Sequence, residues 1–126
     1  MREEAKLWIK QALKDFEAAE KNLEIEEYYL VAFLAQQSVE KALKSLYIHK
    51  LSRFPGTTHS LLYLGRSVGV PKELEGILRK LTPDFVITRY PDVSQEVPYE
   101  LYDENSAKDR INSAKKVLEW VEKELK

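Results

Sequence analysis

At 126 residues, the chain is of a length expected for one domain, residues 1–126, that buries about two thirds of the surface its unfolded form exposes. Its 20 basic and 21 acidic residues leave a formal charge of −1, which removes the global positive field of a general nucleic-acid binder and leaves room only for a local basic patch. The absence of cysteine excludes disulfide scaffolds, thiol catalysis and cysteine-ligated zinc.

The first ten residues, MREEAKLWIK, are charged from position 2 onward and lack the apolar centre of a secretory signal. No apolar run approaches the roughly 18 residues of a membrane span. The expectation is a cytoplasmic protein with no membrane partner.

A first helix is predicted from about Arg2 to Leu23. Ala5, Ile9, Ala12, Phe16, Ala19 and Leu23 alternate spacings of four and three, so they line one face. Trp8 and Leu13 flank that seam, and Glu3 and Glu4 suit the N-terminal dipole end. The short acidic link from Glu24 to Glu27 has the length that joins antiparallel helices. A second helix follows, from about Glu27 to Leu51. Tyr28, Ala32, Ala35, Val39, Ala42 and Leu46 repeat the spacing, and Val31, Leu34, Leu43 and Tyr47 widen the stripe, as expected for a central helix with several neighbours. Gln36, Glu40 and Lys44, four apart, form a polar strip within it.

The segment SRFPGTTH then breaks the helix. Pro55 and Gly56 mark a turn, and Thr57 or Thr58 suits the N-cap of a short third helix. His59 is expected in its first turn, with Leu61, Leu62 and Leu64 facing inward. With no second catalytic partner nearby in sequence, packing or hydrogen bonding is the simpler role for His59. Gly69 and Pro71 introduce a fourth helix, about Pro71 to Leu81, with Pro71 at its first position and Leu74, Ile77, Leu78 and Leu81 buried. Thr82-Pro83 ends it.

Residues 84–102, DFVITRYPDVSQEVPYELY, are expected to be irregular and longer than an ordinary connection. Their aromatics, Phe85, Tyr90, Tyr99 and Tyr102, and Arg89 make this loop a candidate for function, the alternative being a loop that merely wraps the bundle. Asp103 is the expected N-cap of a last helix, in which Ala107, Ile111, Ala114, Leu118, Val121 and Leu125 share the four-three spacing. Three long and two short helices, with no convincing strand, define an all-α, up-and-down helical bundle.

Glycines at 56, 65, 69 and 76 fit neither the phosphate loop nor the dinucleotide fingerprint, which excludes a Walker-type NTPase. Two distant histidines, no EF-hand pattern and no ExxH partner for Glu40 lead us to expect no metal or other cofactor. What remains is polar: Gln36, Gln37, Glu40, Lys41 and Lys44 on the second helix, and Arg89, Tyr90 and Asp92 on the loop. Glu40 and Lys44 are ordered as an i, i+4 surface pair worth about 0.2 to 0.5 kcal/mol, enough to account for them without function. Arg89 carries a fork of donors that fits phosphate or carboxylate, with Tyr90 beside it to stack or hydrogen-bond. Brought together, the two strips would suit a nucleotide or an RNA phosphate.

Three segments in this order, AFLAQQSVEKALKSLY from Ala32, Thr58-His59-Ser60-Leu61 with Leu64 one turn on, and Thr88-Arg89-Tyr90-Pro91-Asp92, resemble the HEPN domain. Trp8 and the Asp15-Phe16-Ala18 region extend the resemblance into the first helix. The resemblance implies a bundle similar to the C-terminal domain of kanamycin nucleotidyltransferase, a homodimer, and a minimal nucleotidyltransferase as partner in a toxin–antitoxin pair. It also implies, for many members, a metal-independent ribonuclease in which an arginine and a histidine are separated by four to six residues and two such motifs meet across the dimer. Arg89 matches that arginine, but Ser94, Gln95 and Glu96 occupy the histidine positions, so the proton-transfer group is absent from its usual place. The expectation is therefore a nucleotide- or RNA-binding module, through Arg89, Tyr90, Asp92, Gln36, Glu40 and Lys44, without catalysis of its own. The alternatives are an endoribonuclease toxin using Arg89 and His59, and a purely structural dimerisation subunit.

Overall fold

The computed structural model describes all 126 residues as helices and connections, with no strand. In chain order the elements are α1 (Glu3–Glu24), α2 (Tyr28–Leu51), α3 (Leu61–Ser67), α4 (Lys72–Leu81), α5 (Asp84–Ile87), α6 (Pro91–Ser94), a 3-10 turn (Pro98–Leu101) and α7 (Glu104–Leu125). The all-α bundle expected from the spacing is what forms. No helix is long and apolar enough to cross a membrane.

Small residues set the approach of α1 to α2. Ala5, Ala12 and Ala19 are fully buried, and their small side chains let serines of α2 reach the α1 backbone. Ser45 Oγ donates to the Ala5 carbonyl and Ser38 Oγ to the Ala12 carbonyl, both at 2.7 Å. Because the α2 partner moves back as the α1 position advances, these two bonds also fix the antiparallel register. Larger residues at positions 5 or 12 would push the helices apart and strand two buried hydroxyls.

α2 is the axis of the molecule, with 14 of its 24 residues buried. Val39, Leu43 and Leu46 meet Leu61 and Leu64 of α3, Leu78 and Leu81 of α4, and Val117, Leu118 and Val121 of α7 in one core. Gly65 lets α3 close on α4, since a Cβ there would collide with Leu78 Cδ1. Gly69 supplies the positive φ, 82°, at the turn between them.

Three local expectations shift. α3 is capped by Ser60, whose Oγ accepts the Tyr63 N–H at 3.2 Å, rather than by Thr57 or Thr58. Thr58 Oγ1 instead accepts the Ser60 N–H, which tightens the approach to the helix and leaves His59 ahead of it, not within its first turn. Pro71 is the residue before α4 rather than its first member, and Leu62 is only half-buried.

The segment 84–102 is more regular than expected. Pro91 and Pro98, whose fixed φ suits the first position of a helical turn, begin α6 and the 3-10 turn. α7 starts as predicted at Asp103: its Oδ1 accepts the Ser106 N–H at 2.8 Å, and Ser106 Oγ accepts the Asp103 N–H at 2.9 Å. This reciprocal box satisfies two otherwise unpaired donors.

Candidate functional site

The polar strip of α2 is an interior network, not a surface ornament. Glu40 and Lys44 are each only 4% exposed, and Gln36 is fully buried. Glu40 Oε1 accepts hydrogen bonds from Gln36 Nε2 and His59 Nδ1, each at 3.0 Å, and its Oε2 accepts one from Lys44 Nζ at 3.1 Å. The reading of Glu40–Lys44 as a surface pair is thereby corrected: His59, arriving from the α2–α3 connection, covers the carboxylate that the sequence alone leaves open.

An ionised carboxylate only accepts, so the bond to Glu40 places a proton on Nδ1, and Nε2 has no hydrogen-bond partner within the molecule. The His59 side chain is 48% exposed. Its ring stacks on Phe85, with centroids 3.7 Å apart and an interplanar angle of 18°. Buried acceptor and aromatic surface together hold the imidazole in one orientation.

Arg89 lies on the same aromatic residue. Its guanidinium carbon is 4.7 Å from the Phe85 centroid, 5.4 Å from that of Tyr90 and 5.9 Å from that of Phe33. Thirteen ion pairs are formed in the molecule, and none includes Arg89. An exposed guanidinium resting on aromatic faces, with its hydrogen-bond fork unused, is suited to a carboxylate or a phosphate.

A second buried carboxylate fixes the segment that carries Phe85 and Arg89. Asp84, 2% exposed, accepts from Arg110 Nε at 2.8 Å through Oδ2, and from Tyr102 Oη at 2.8 Å through Oδ1. Burial, followed by the charge of Asp84, pushes the Tyr102 phenol well above its ordinary pKa. Burial opposes the charge of Arg110, but the hydrogen bond and charge of Asp84 outweigh it and hold the guanidinium pKa above its usual value. Asp84 therefore ties the start of α5 to α7, and Thr88 Oγ1 adds a bond to the Asp84 carbonyl.

The structure thus joins His59 and Arg89 through Phe85, and joins His59 by a hydrogen bond to Glu40, which also accepts from Gln36 and Lys44. Tyr90 is exposed and packs on Arg89, whereas Asp92 is exposed and forms no side-chain hydrogen bond or ion pair. Ser94, Gln95 and Glu96 do not hydrogen-bond to Arg89; Gln95 takes the left-handed conformation that ends α6. Sequence reading missed Phe33. A signal existed, because Phe33, Gln37 and Glu40 stand four and three apart and share a helix face.

The HEPN domain model matches residues 5–124. Among solved structures, the chain is similar to TT1696 from Thermus thermophilus, with 29% identity and a TM-score of 0.90 over 98% of this chain and 100% of that one. It is also similar to ST0689, an archaeal HEPN homologue, with 33% identity and a TM-score of 0.84 over 99% of this chain and 100% of that one. Comparison with curated proteins gives no match. A family model spanning nearly the whole sequence, and two folds that coincide with this one from end to end, show that the chain belongs to the HEPN domain family.

Proposed function

We propose that the protein is a phosphate-recognising HEPN module that binds a nucleotide or RNA through Arg89, acts as a homodimer, and partners a minimal nucleotidyltransferase in a toxin–antitoxin-type pair. The observation that supports binding is the exposed Arg89 guanidinium, fixed by Phe33, Phe85 and Tyr90 yet without an acceptor. The dimer and the nucleotidyltransferase partner rest on the family resemblance.

Titration with short RNA tests the binding. Loss of a charge-assisted contact costs about 1.5 to 3 kcal/mol, so Arg89→Ala is expected to weaken binding by about ten- to a hundredfold. Unchanged affinity in that variant would remove Arg89 from the reading.

One arrangement favours a second reading, metal-independent RNA cleavage. Glu40 orients the half-exposed His59, whose Nε2 has no partner within the molecule, and Arg89 shares Phe85 with it. In this reading His59 moves the proton and Arg89 stabilises the phosphate charge that develops. RNA incubated with the protein in EDTA separates the two readings: cleavage lost in both His59→Ala and Arg89→Ala supports the nuclease, and intact RNA that still binds supports the module.

A further inference from the structure

The contact chain that begins at Arg89 does not end at Glu40. Lys44, paired with Glu40 at 3.1 Å, has its ammonium 5.6 Å from the centroid of Trp8 on α1. Trp8 in turn meets Phe54, which follows α2, with ring centroids 5.8 Å apart at 45°. Here the start of α1 and the end of α2 enclose a cavity of about 290 Å³, lined chiefly by Arg2, Glu4, Trp8, Ile48, Arg53 and Phe54. That volume falls just under the usual range of ligand pockets, about 300 to 1,000 Å³, so the occupant must be small.

The lining combines two kinds of surface. Trp8 is half-buried, while Phe54 is 56% exposed, so the tilted pair presents an aromatic wall to solvent. Arg53 Nε donates to Tyr47 Oη at 3.3 Å, and its guanidinium carbon is 5.8 Å from the Tyr47 ring centroid. These contacts aim the arginine while leaving both of its Nη groups without an acceptor. Arg2 makes no ion pair, and Glu4 is the single acid in the lining, so the local charge is positive although that of the chain is −1. Aromatic faces beside an uncommitted guanidinium are what a base and its phosphate require, and stacking of one base on such a face contributes about 1 to 3 kcal/mol.

We infer that this cavity is a nucleotide subsite, separate from Arg89, in which a base stacks on Trp8 and Phe54 and a phosphate pairs with Arg53. The nucleotide is either free or one unit of a single-stranded RNA long enough to reach Arg89 as well. The second source rests on the reading of Arg89 as a phosphate contact; the first does not.

Trp8 and Trp120 are the two tryptophans of the chain, so Trp120→Phe makes Trp8 the sole reporter. The variant, with its helical content checked by circular dichroism, is titrated with AMP, ribose 5-phosphate and a short oligoadenylate. Saturable quenching by AMP but not by ribose 5-phosphate is expected, and Arg53→Ala should weaken it by about tenfold. Arg89→Ala is titrated with the same three ligands. A tenfold weaker oligoadenylate titration in that variant would assign the ligand to RNA spanning both places, whereas an unchanged one would assign it to a nucleotide held by the cavity alone. If neither AMP nor oligoadenylate alters Trp8 emission while RNA binding still depends on Arg89, the subsite is overturned and the Arg89 reading stands. If Phe54→Ala halves the mass in light scattering and leaves quenching unchanged, the aromatic wall belongs to a contact with a second copy, which also overturns the subsite.

Discussion

Glu40 and Asp84 are almost equally buried, at 4% and 2% exposure, and each accepts a hydrogen bond from a cation, yet their remaining partners differ. Asp84 is closed by Tyr102 and Arg110, both of which spend their donors inside the molecule. Neither group changes charge near neutrality, because Tyr102 is held above its usual pKa and arginine is permanently charged. Glu40 has Lys44 and Gln36 inside, but its third partner, His59, is half in solvent. The closed network holds α5 against α7 in a fixed position, and the open one carries that rigidity to a half-exposed imidazole.

The largest expected effect comes from breaking the closed network. Asp84→Ala removes the only ion-pair partner of Arg110 besides the exposed Asp109 and leaves the Tyr102 hydroxyl unpaired. Removing one member of a buried pair costs about 3 to 5 kcal/mol. Because the Arg110 side chain is 18% exposed and can lean toward water, a loss of about 3 kcal/mol is expected from the urea midpoint. The RNA binding proposed for Arg89 should weaken as well, since Asp84 anchors the segment that carries Phe85 and Arg89.

A smaller loss, about 2 kcal/mol, is expected for Lys44→Met, because Glu40 keeps the Gln36 and His59 donors. His59→Ala should therefore cost more in the Lys44→Met background than in the parent, a coupling read from a double-mutant cycle in urea. Additive losses would mean that His59 does not support Glu40. A Lys44→Met loss exceeding that of Asp84→Ala would invert the ranking of closed and open networks.

The same contrast explains what the sequence reveals. The three long helices and the Asp103 cap rest on spacings of three and four residues, which remain visible in a single window. The site depends on distant pairs. His59 reaches Glu40 from 19 residues away, and Arg110 reaches Asp84 from 26. Without those partners Glu40 and Lys44 read as a solvated pair and 84–102 as an irregular loop, because local spacing carries no information about what will cover a polar strip. Arg89 and Tyr90 are recognisable as candidates, but Phe85 as the residue shared with His59 emerges only from tertiary packing.

The smallest effect supplies the reference for both networks, an exposed carboxylate. The Ser106 backbone N–H, first among several hydrogen bonds, holds the Asp103 carboxyl below its ordinary pKa of 3.8. A carboxyl with a lower pKa when folded than when unfolded contributes stability above the unfolded value, and that contribution is lost as pH falls through the folded one. Asparagine also caps helices well, so Asp103→Asn should barely change the urea midpoint near pH 7. It should make the decline below about pH 4 shallower than in the parent, because one proton uptake on unfolding has been removed. Asp109, held low chiefly by the hydrogen bond from Lys80, continues to titrate in the variant, so the acid limb should flatten without disappearing. An identical acid limb in parent and variant would show that the charge of the cap does not enter stability, leaving the Asp103 contribution to the hydrogen bond that asparagine preserves.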